Sequence, residues 1–276
     1  MTKTIITVSS SDSSGASGIQ ADTRTIMALG GYAASVVTQI TADSQDTYKI
    51  LYQAIPENVA QQFTHSISQI GADAIKIAHL GNQAIIDTIA DCIEALDTKA
   101  RKILIDPSLL DRSGTLLIEK PDVDALKRRL FIHADVLTPN RYEAEILTGM
   151  PIQDLDDMRH AAEMMITFGA QAVILKGGQL NSQSIVDLIV SDAGETILES
   201  PVIKSKTTHG AGDTLSAAIT YGLTQGLNVE DSMRHALNFL NSAIETALAL
   251  GEGEGPVNQG HVIETQEIKN VTKAFG

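Results

Sequence analysis

Short runs of β-branched residues alternate along this chain with longer amphipathic stretches, and this rhythm limits the possible folds more than any other feature. The runs predicted as strands are Thr4–Val8, Ser35–Ile40, Ala74–Ala78, Lys102–Ile105, Ala134–Thr138 and Ala172–Leu175. The stretches predicted as helices include Asn58–Ile70, Gln83–Ala95 and Met158–Phe168. Strands that alternate with helices predict an α/β sandwich, with a mostly parallel central sheet and helices on both faces.

The stretch from residue 181 to residue 200 breaks this alternation. Its two apolar runs, Ile185–Val190 and Thr196–Leu198, are separated by a turn-forming sequence around Gly194. This pattern predicts an antiparallel hairpin at one edge of the sheet. No linker, repeat or low-complexity block interrupts the chain, so we expect one domain over residues 1–276.

Composition narrows the class of protein. With 43% hydrophobic but only 4% aromatic residues, the core should consist of Ile, Leu, Val and Ala, which suits a sheet buried on both faces. A net charge of −14 argues against nucleic acid or an anionic membrane as a partner. The single cysteine, Cys92, excludes an internal disulfide and fits a reducing compartment. Without a signal sequence or a membrane-spanning apolar run, we expect a soluble, cytoplasmic protein.

A glycine-rich segment, Thr208-His209-Gly210-Ala211-Gly212-Asp213, stands shortly before an apolar run that begins at Leu215. The glycines let the backbone turn tightly with its N–H groups outward, and the helix predicted after them adds partial positive charge. Such a turn can hold an anion, above all a phosphate during its transfer. Asp213 would repel a resting phosphate, so proton abstraction from an attacking hydroxyl best explains it. The segment predicts phosphoryl transfer to an alcohol.

A plainer interpretation of this segment is a loop before a helix, with Asp213 or Thr214 as the N-cap. The segment lacks the Gly-Lys-Ser/Thr of a Walker A loop and the third glycine of a dinucleotide fingerprint. Neither of those better-known phosphate loops therefore accounts for it, and the rest of the chain must decide.

Ligands of open parallel sheets bind beyond the carboxyl ends of the strands, so the residues that follow each predicted strand are candidates for the site. The first predicted strand is followed by a polar loop, residues 9–18. The candidates after the later strands are Asp43, His79, Asp106, Ser108, Asn140, Glu143 and Lys176. Carboxylate and amide oxygens suit Mg²⁺, and a lysine suits a phosphate oxygen. Because these residue types are expected at the same edge of the sheet as the glycine turn, the sequence predicts a kinase.

Several candidates also have a purely structural interpretation. Asn140 and Glu143 have the spacing of a capping box, which stabilises a helix and need do nothing else. Lys176 can be a solvated strand end, and His79 can be a packed histidine.

These residues make the chain resemble the ribokinase-like superfamily and, within it, the hydroxymethylpyrimidine/phosphomethylpyrimidine kinase branch. The matching segments are residues 11–22 (SDSSGASGIQAD), Thr138-Pro139-Asn140 with Glu143, Lys176-Gly177-Gly178, residues 208–218 (THGAGDTLSAA) and residues 253–257 (GEGPV). The resemblance implies an ATP-dependent kinase of 4-amino-5-hydroxymethyl-2-methylpyrimidine and its monophosphate, active in thiamine biosynthesis. It also implies a homodimer without a large separate lid.

The resemblance further implies roles for single residues. Asp213 would be the base, and the amides of Gly210, Ala211 and Gly212 would form the anion hole. The residues near ATP would be Lys176, Thr208, Gly210, Gly212 and Val257. The residues that position Mg²⁺, largely through water, would be Asp106, Asn140 and Glu143. The residues near the pyrimidine would be Ser10, Asp12, Asp22, Asp43, His79 and Ser108.

The chain departs from that branch where the acceptor should bind. Asp213 stands where the branch commonly has cysteine, Ser10 where it has glycine, Asp43 where many members have glutamine, and His79 where they have methionine. Ser108 replaces an apolar residue. We therefore expect intact phosphoryl transfer with a more polar acceptor pocket. A pyridoxal or pyridoxine kinase stays open as an alternative, as does a nucleotide-binding regulator without catalysis, although the retained site residues argue against the latter.

Overall fold

The computed structural model describes residues 1–43, 48–96, 101–178, 184–203, 205, 207–247, 249–250 and 255–263. Its strands are β1 (Thr4–Asp12), β2 (Tyr32–Asp43), β3 (Tyr48–Gln53), β4 (Ala74–Ile77), β5 (Lys102–Ile105), β6 (Val136–Leu137), β7 (Val173–Lys176), β8 (Ser184–Ser191) and β9 (Gly194–Pro201). Its α-helices are α1 (Gly18–Ala28), α2 (Pro56–Gln69), α3 (Gln83–Glu94), α4 (Lys120–Arg129), α5 (Arg141–Thr148), α6 (Leu155–Thr167), α7 (Ala211–Thr224) and α8 (Val229–Glu245). Part of the matching segment at residues 253–257 lies outside the described residues.

The described strands form one sheet of nine in the order β3-β2-β1-β4-β5-β6-β7-β8-β9. Parallel pairing joins β2, β1, β4, β5, β6 and β7. β3 pairs antiparallel with β2 at one edge, and β8 pairs antiparallel with β7 and β9 at the other. The mostly parallel sheet and the hairpin at its edge are therefore confirmed.

Helices cover both faces of the sheet, as predicted. One face carries α2 to α6, and their apolar side chains, such as Phe63 and Ile89, share a core with Ile75 and Ile77 of β4. The other face carries α1, α7 and α8. Successive side chains of a strand point to opposite faces, so Lys76 points toward α1 and α7. This placement puts a lysine under the predicted site.

Among the strands that differ from the prediction, β1 and β3 show the physical reason most directly. β1 continues past Val8 to Asp12, because the backbone of its serine residues pairs with β2 in spite of their polar side chains. The sequence pattern does not reveal β3, an edge strand that leaves apolar side chains such as Leu51 exposed and so lacks the usual alternation. No helix in the described part of the chain is long and apolar enough to cross a membrane. The assignment of one domain to residues 1–276 stays a prediction.

Candidate active site

A cavity of about 390 Å³ opens at the carboxyl ends of the central strands. Its wall combines the ends of β1 and β7, the segments that follow β4, β5 and β6, and the first turn of α7. The predicted site residues that line it are Ser10, His79, Asp106, Ser108, Asn140, Glu143, Lys176, Thr208, Gly210, Ala211, Gly212 and Asp213. The structure thus brings most of the predicted residues together at the predicted edge of the sheet.

The glycine turn leads directly into α7. Gly210 is the N-cap and has a φ of +82°. A Cβ on Gly210 would lie 1.8 Å from the carbonyl oxygen of Ala16, so only glycine fits where the two loops meet. The helix begins at Ala211 and places Asp213 inside its first turn, so the N-cap interpretation of Asp213 or Thr214 is wrong. The N–H of Ala211 donates to the carbonyl oxygen of Thr208 at 3.1 Å, whereas the next amides of the first turn have no partner within the helix and adjoin the cavity.

The carboxylate of Asp213 is held from two sides and still faces the cavity. Its Oδ2 accepts a hydrogen bond from the N–H of Gly18 at 3.0 Å, and its Oδ1 lies 3.4 Å from Nζ of Lys76. Its side chain remains 17% exposed. Gly18 has a φ of +59°, and a Cβ there would lie 2.3 Å from the carbonyl oxygen of Ser10. The serine-rich loop and α7 therefore orient this carboxylate together.

Lys76 is a site residue that the sequence analysis does not identify. Its side chain is fully buried, and its ammonium forms a short hydrogen bond with Asp22 and a longer ion pair with Asp213. Burial opposes its charge, but Asp22 and Asp213 outweigh burial and raise the pKa of Lys76 above its ordinary value. The available signal was a lysine in the middle of the apolar run Ala74–Ala78, because a buried charge needs partners.

Asp22 does not line the cavity. Its side chain has no exposed surface and contacts Lys76, which corrects the expectation that Asp22 touches the acceptor. Burial raises the pKa of Asp22, whereas the Lys76 ammonium, with which Asp22 forms a buried ion pair, lowers it. Asp22 therefore reaches the chemistry only through Lys76.

Asp12 shapes the serine-rich loop from within. Its carboxylate accepts hydrogen bonds from Ser14, Ala16 and Ser17. Burial opposes its charge, but the hydrogen bonds from Ser14 and Ser17 outweigh burial and lower the pKa of Asp12. Nε2 of His209 lies 3.7 Å from the same carboxylate. The expected contact of Asp12 with the acceptor is corrected to a role in holding this loop against the glycine turn.

Lys176 lies among carboxylates at the end of β7. Its Nζ lies 3.3 Å from Oδ1 of Asp106. Burial opposes its charge, but Asp106 and Glu143 outweigh burial and raise the pKa of Lys176. The side chain is 16% exposed and lines the cavity, so the interpretation as a solvated strand end is wrong.

Asn140 and Glu143 form the capping box that their spacing predicts. Oδ1 of Asn140 accepts from the N–H of Glu143, and Oε2 of Glu143 accepts from the N–H of Asn140, both at 2.9 Å. Oε1 of Glu143 accepts from the N–H of Leu109 at 3.0 Å. Burial and the charge of Asp106 raise the pKa of Glu143 to about 7. Both residues also line the cavity, so capping and ligand binding do not exclude each other.

His79 is both packed and part of the cavity wall. It is 3% exposed, and its Nδ1 lies 2.9 Å from the carbonyl oxygen of Ser108. The ring of Tyr48 meets it edge-on, with 6.4 Å between centroids. Burial lowers the pKa of His79, although the Ser108 carbonyl raises it. The cavity is also lined by residues that no sequence pattern indicated, namely Tyr48, Leu110, Asp111, Arg112 and Leu117.

Two remaining predicted residues are not placed in the cavity wall. Val257 is 2% exposed and packs with apolar side chains of α7 and α8, while its N–H donates to the carbonyl oxygen of His209 at 3.2 Å. It supports the glycine turn from behind, and its expected contact with ATP stays a prediction. The side chain of Asp43 lies outside the described part of the chain.

The fold belongs to the ribokinase-like kinases of small molecules. A Bacillus subtilis pyridoxal kinase, solved as an ADP complex, superposes with a TM-score of 0.86 at 30% identity, covering 95% of this chain and 99% of that one. A phosphomethylpyrimidine kinase from Clostridium difficile superposes with a TM-score of 0.77 at 29% identity, covering 88% of this chain and 99% of that one. The predicted fold class is confirmed.

The chain belongs to the phosphomethylpyrimidine kinase family, which matches residues 12–258. A hydroxymethylpyrimidine/phosphomethylpyrimidine kinase of Streptomyces coelicolor is 34% identical over 256 residues, which cover 93% of this chain and 94% of that protein. The thiamine biosynthesis bifunctional protein ThiED of Geobacter sulfurreducens is 37% identical over 266 residues, which cover 96% of this chain but only 54% of that longer protein. Members of this family are phosphotransferases.

Proposed function

We propose that this protein transfers the γ-phosphate of ATP to 4-amino-5-hydroxymethyl-2-methylpyrimidine and then phosphorylates the resulting monophosphate, in thiamine biosynthesis. The observation that carries the proposal is the position of Asp213, a cavity-facing carboxylate in the first turn of α7 beside the glycine turn. A carboxylate beside a bound phosphate is electrostatically unfavourable, but an attacking hydroxyl needs a base at this position. The relatives that carry this name support the choice of acceptor. We further propose a cytoplasmic location, where ATP is available for this reaction.

In the first reaction the acceptor hydroxyl gives its proton to Asp213 while its oxygen bonds to the γ-phosphorus. The bond from that phosphorus to the bridging oxygen breaks, and ADP leaves with the electron pair. The amides of the first turn and the positive end of the α7 dipole stabilise the charge on the transferring group, and Lys176 offsets phosphate charge. In the second reaction the acceptor is a phosphate, whose second pKa is about 6, so no base is needed.

The cavity residues fit a Mg²⁺ ion that is held mainly through water. The N–H groups of Asn140 and Leu109 occupy one lone pair on each carboxylate oxygen of Glu143, which leaves Glu143 able to accept from a metal-bound water. Asp106 is the neighbouring carboxylate of the wall. Mg²⁺ keeps several waters and needs only one or two protein carboxylates beside nucleotide phosphates. The ion would offset phosphate charge in a chain whose own net charge is −14.

The variant Asp213→Asn tests the proposal, because it removes the base and keeps the shape of the side chain. We expect the first phosphorylation to slow by about a hundredfold or more, and the second to change little. Asp231→Asn is a matched control, since Asp231 lies at the equivalent position in the first turn of α8 and outside the cavity wall. ADP release measured with each acceptor gives both rates. Near-normal first-step turnover in the Asp213 variant would refute the assigned role.

A pyridoxal kinase is the second candidate, and one structural observation favours it. The TM-score is 0.86 with the Bacillus subtilis pyridoxal kinase but 0.77 with the Clostridium difficile phosphomethylpyrimidine kinase. Both acceptors are small heteroaromatic rings that carry a hydroxymethyl group. Turnover per enzyme on the pyrimidine and on pyridoxal, measured side by side, decides between them: a higher kcat/KM for pyridoxal overturns our choice of acceptor.

We also propose a homodimer, and the exposed edge strand β3 supports it. Ile50, Leu51 and Tyr52 are about half exposed, at 47%, 54% and 50%. An edge strand with exposed apolar side chains is prone to pair with another chain, and a second copy would cover it. Sedimentation equilibrium of the wild type and of Leu51→Lys tests this proposal. A wild type that sediments as a monomer at all concentrations excludes the dimer.

A further inference from the structure

We propose that Lys76 and Asp22 are positioning residues that together set how readily Asp213 takes the proton of the acceptor hydroxyl. The inference rests on the proposed role of Asp213 as the base and adds two residues that never touch the substrate. Neither residue lines the cavity, and neither has exposed side-chain surface.

The geometry makes one ammonium serve two carboxylates. Nζ of Lys76 forms a short hydrogen bond with Oδ1 of Asp22 and lies 3.4 Å from Oδ1 of Asp213. The three side chains come from β4, α1 and α7, so the tertiary structure alone brings them together. Because Asp22 is nearer, it takes the larger share of the lysine's attraction, and Asp213 keeps a weaker contact. Lys76 thereby orients Asp213 through a longer contact than the one that it makes with Asp22.

The charges of the triad that Asp22, Lys76 and Asp213 form fit the proton transfer. Before the reaction, two carboxylates and one ammonium give a net charge of −1. When the acceptor O–H proton moves to Asp213, the acceptor oxygen bonds to phosphorus and ADP departs, and the neutral Asp22–Lys76 pair remains behind. If Asp22 were absent, the whole lysine charge would attract Asp213 and make it a poorer base. If Lys76 were absent, Asp213 would lose its cation, and its ionised form would be stabilised by the N–H of Gly18 and the first turn of α7 without a countercharge from β4.

Stability does not account for the pair. Oδ2 of Asp22 has no hydrogen-bond partner among the described residues, although it is buried. A buried ion pair with an unsatisfied oxygen contributes little net stability compared with apolar side chains of the same volume. Other charged or titratable groups that act on these three residues are Asp106, whose charge reaches Lys76 and Asp22, Lys176, which repels Lys76, and His79, which the charge of Asp213 reaches.

The test is the pH dependence of kcat/KM for the first phosphorylation, with the second phosphorylation as an internal reference. Asp22→Asn should move the acid limb of the first-step profile to lower pH by about one unit, because Lys76 then acts on Asp213 alone. Lys76→Met should move it to higher pH by a similar amount. The double variant Asp22→Asn/Lys76→Met removes both charges from the core, so it can be measured if Lys76→Met alone does not fold. It should also move the acid limb to higher pH. In each of these variants, the rate of the second phosphorylation should change less than threefold.

A matched control is Lys102→Met. Lys102 lies on the neighbouring strand β5 and forms an exposed ion pair with Asp135. Its replacement should leave the pH profiles of both phosphorylations unchanged. The proposal is overturned if Asp22→Asn and the double variant shift the first-step limb in the same direction, or if both steps slow equally. Failure of the proposed function is a separate result: the wild type would not phosphorylate the pyrimidine, or Asp213→Asn would retain first-step activity. If pyridoxal is the acceptor, the same opposite shifts are expected with pyridoxal.

Discussion

The imidazole of His79 is anchored by the backbone of Ser108, whose carbonyl oxygen lies 2.9 Å from Nδ1. Ser108 has a φ of 47° and is the one residue other than glycine with a positive φ in the described part of the chain. Such a conformation costs free energy in a residue with a side chain, and here it directs a carbonyl at the imidazole. A carbonyl can only accept, so Nδ1 carries the hydrogen and Nε2 is left as an acceptor. Nε2 is buried and has no hydrogen-bond partner among the described residues.

We predict that His79→Met raises the KM for the acceptor by about tenfold and changes kcat less. The variant removes a hydrogen-bond acceptor that an amino or hydroxyl group of the ring would use, and one such bond is typically worth about 0.5–1.5 kcal/mol. Steady-state kinetics on the pyrimidine and on pyridoxal measure the effect for each acceptor. His65→Met, on the surface of α2, is the control. An unchanged KM for both acceptors would remove His79 from the acceptor pocket.

Lys176→Ala should lower kcat/KM for ATP by a factor that corresponds to about 2–4 kcal/mol. Few cations reach this cavity, and the lysine is already held in place by Asp106. The variant should also melt at a lower temperature than the wild type, because Asp106 and the buried Glu143 lose their cation. Lys120→Ala, at an exposed position of α4, controls for the loss of a positive charge. A folded Lys176 variant with unchanged kcat/KM would place the phosphate site elsewhere.

Gly210→Ala should reduce kcat/KM at least tenfold, because a methyl group there collides with the carbonyl oxygen of Ala16 and pushes the two loops apart. The variant Gly226→Ala is the control, because it introduces the same backbone strain without the collision. Gly226 has a φ of +83°, close to the +82° of Gly210, but an added Cβ would meet nothing within 4 Å. Both variants therefore lose about 1 kcal/mol or more of stability through the positive φ. Kinetics as slow for Gly226→Ala as for Gly210→Ala would show that the collision is unimportant.

Asp187→Asn should stabilise the free protein near pH 7.5 and leave its stability unchanged near pH 4. Asp187 is 3% exposed and pairs in register with Lys176 across β7 and β8. Burial raises its pKa from 3.8 to about 6, although Lys176 lowers it, so the folded protein binds this proton more tightly than the unfolded chain. Stability contributed by this group is therefore lost as pH rises from about 4 to about 6, and a neutral amide avoids that loss.

The expected gain near pH 7.5 is about 1–3 kcal/mol in the free energy of unfolding. Urea unfolding at the two pH values measures it, and Asp192→Asn, in the exposed turn between β8 and β9, is the control. An equal gain at both pH values would mean that the ionisation of Asp187 is not its cause.

The sequence by itself determined the class of fold and the edge of the sheet where the site lies. Alternating apolar runs identify the parallel strands, and polar residues that follow those strands must meet at one edge, because parallel strands end on the same side. This is why Asp106, Asn140, Lys176 and Asp213 can be assigned to one site from the sequence alone. The glycine turn could also be interpreted from the sequence, because its own residues set its backbone conformation.

Only the tertiary structure decided which of these side chains face the cavity. Asp12 and Asp22 fall in the segment 11–22 that carries the resemblance, yet one turns inward to hold its own loop and the other pairs with Lys76. Lys76 lies 54 positions from Asp22 and 137 positions from Asp213, and no local pattern connects residues so far apart. Their meeting depends on how α1 and α7 pack on the same face of β4. Burial in that layer, which is a property of the packed fold, gives each of these charges its partner.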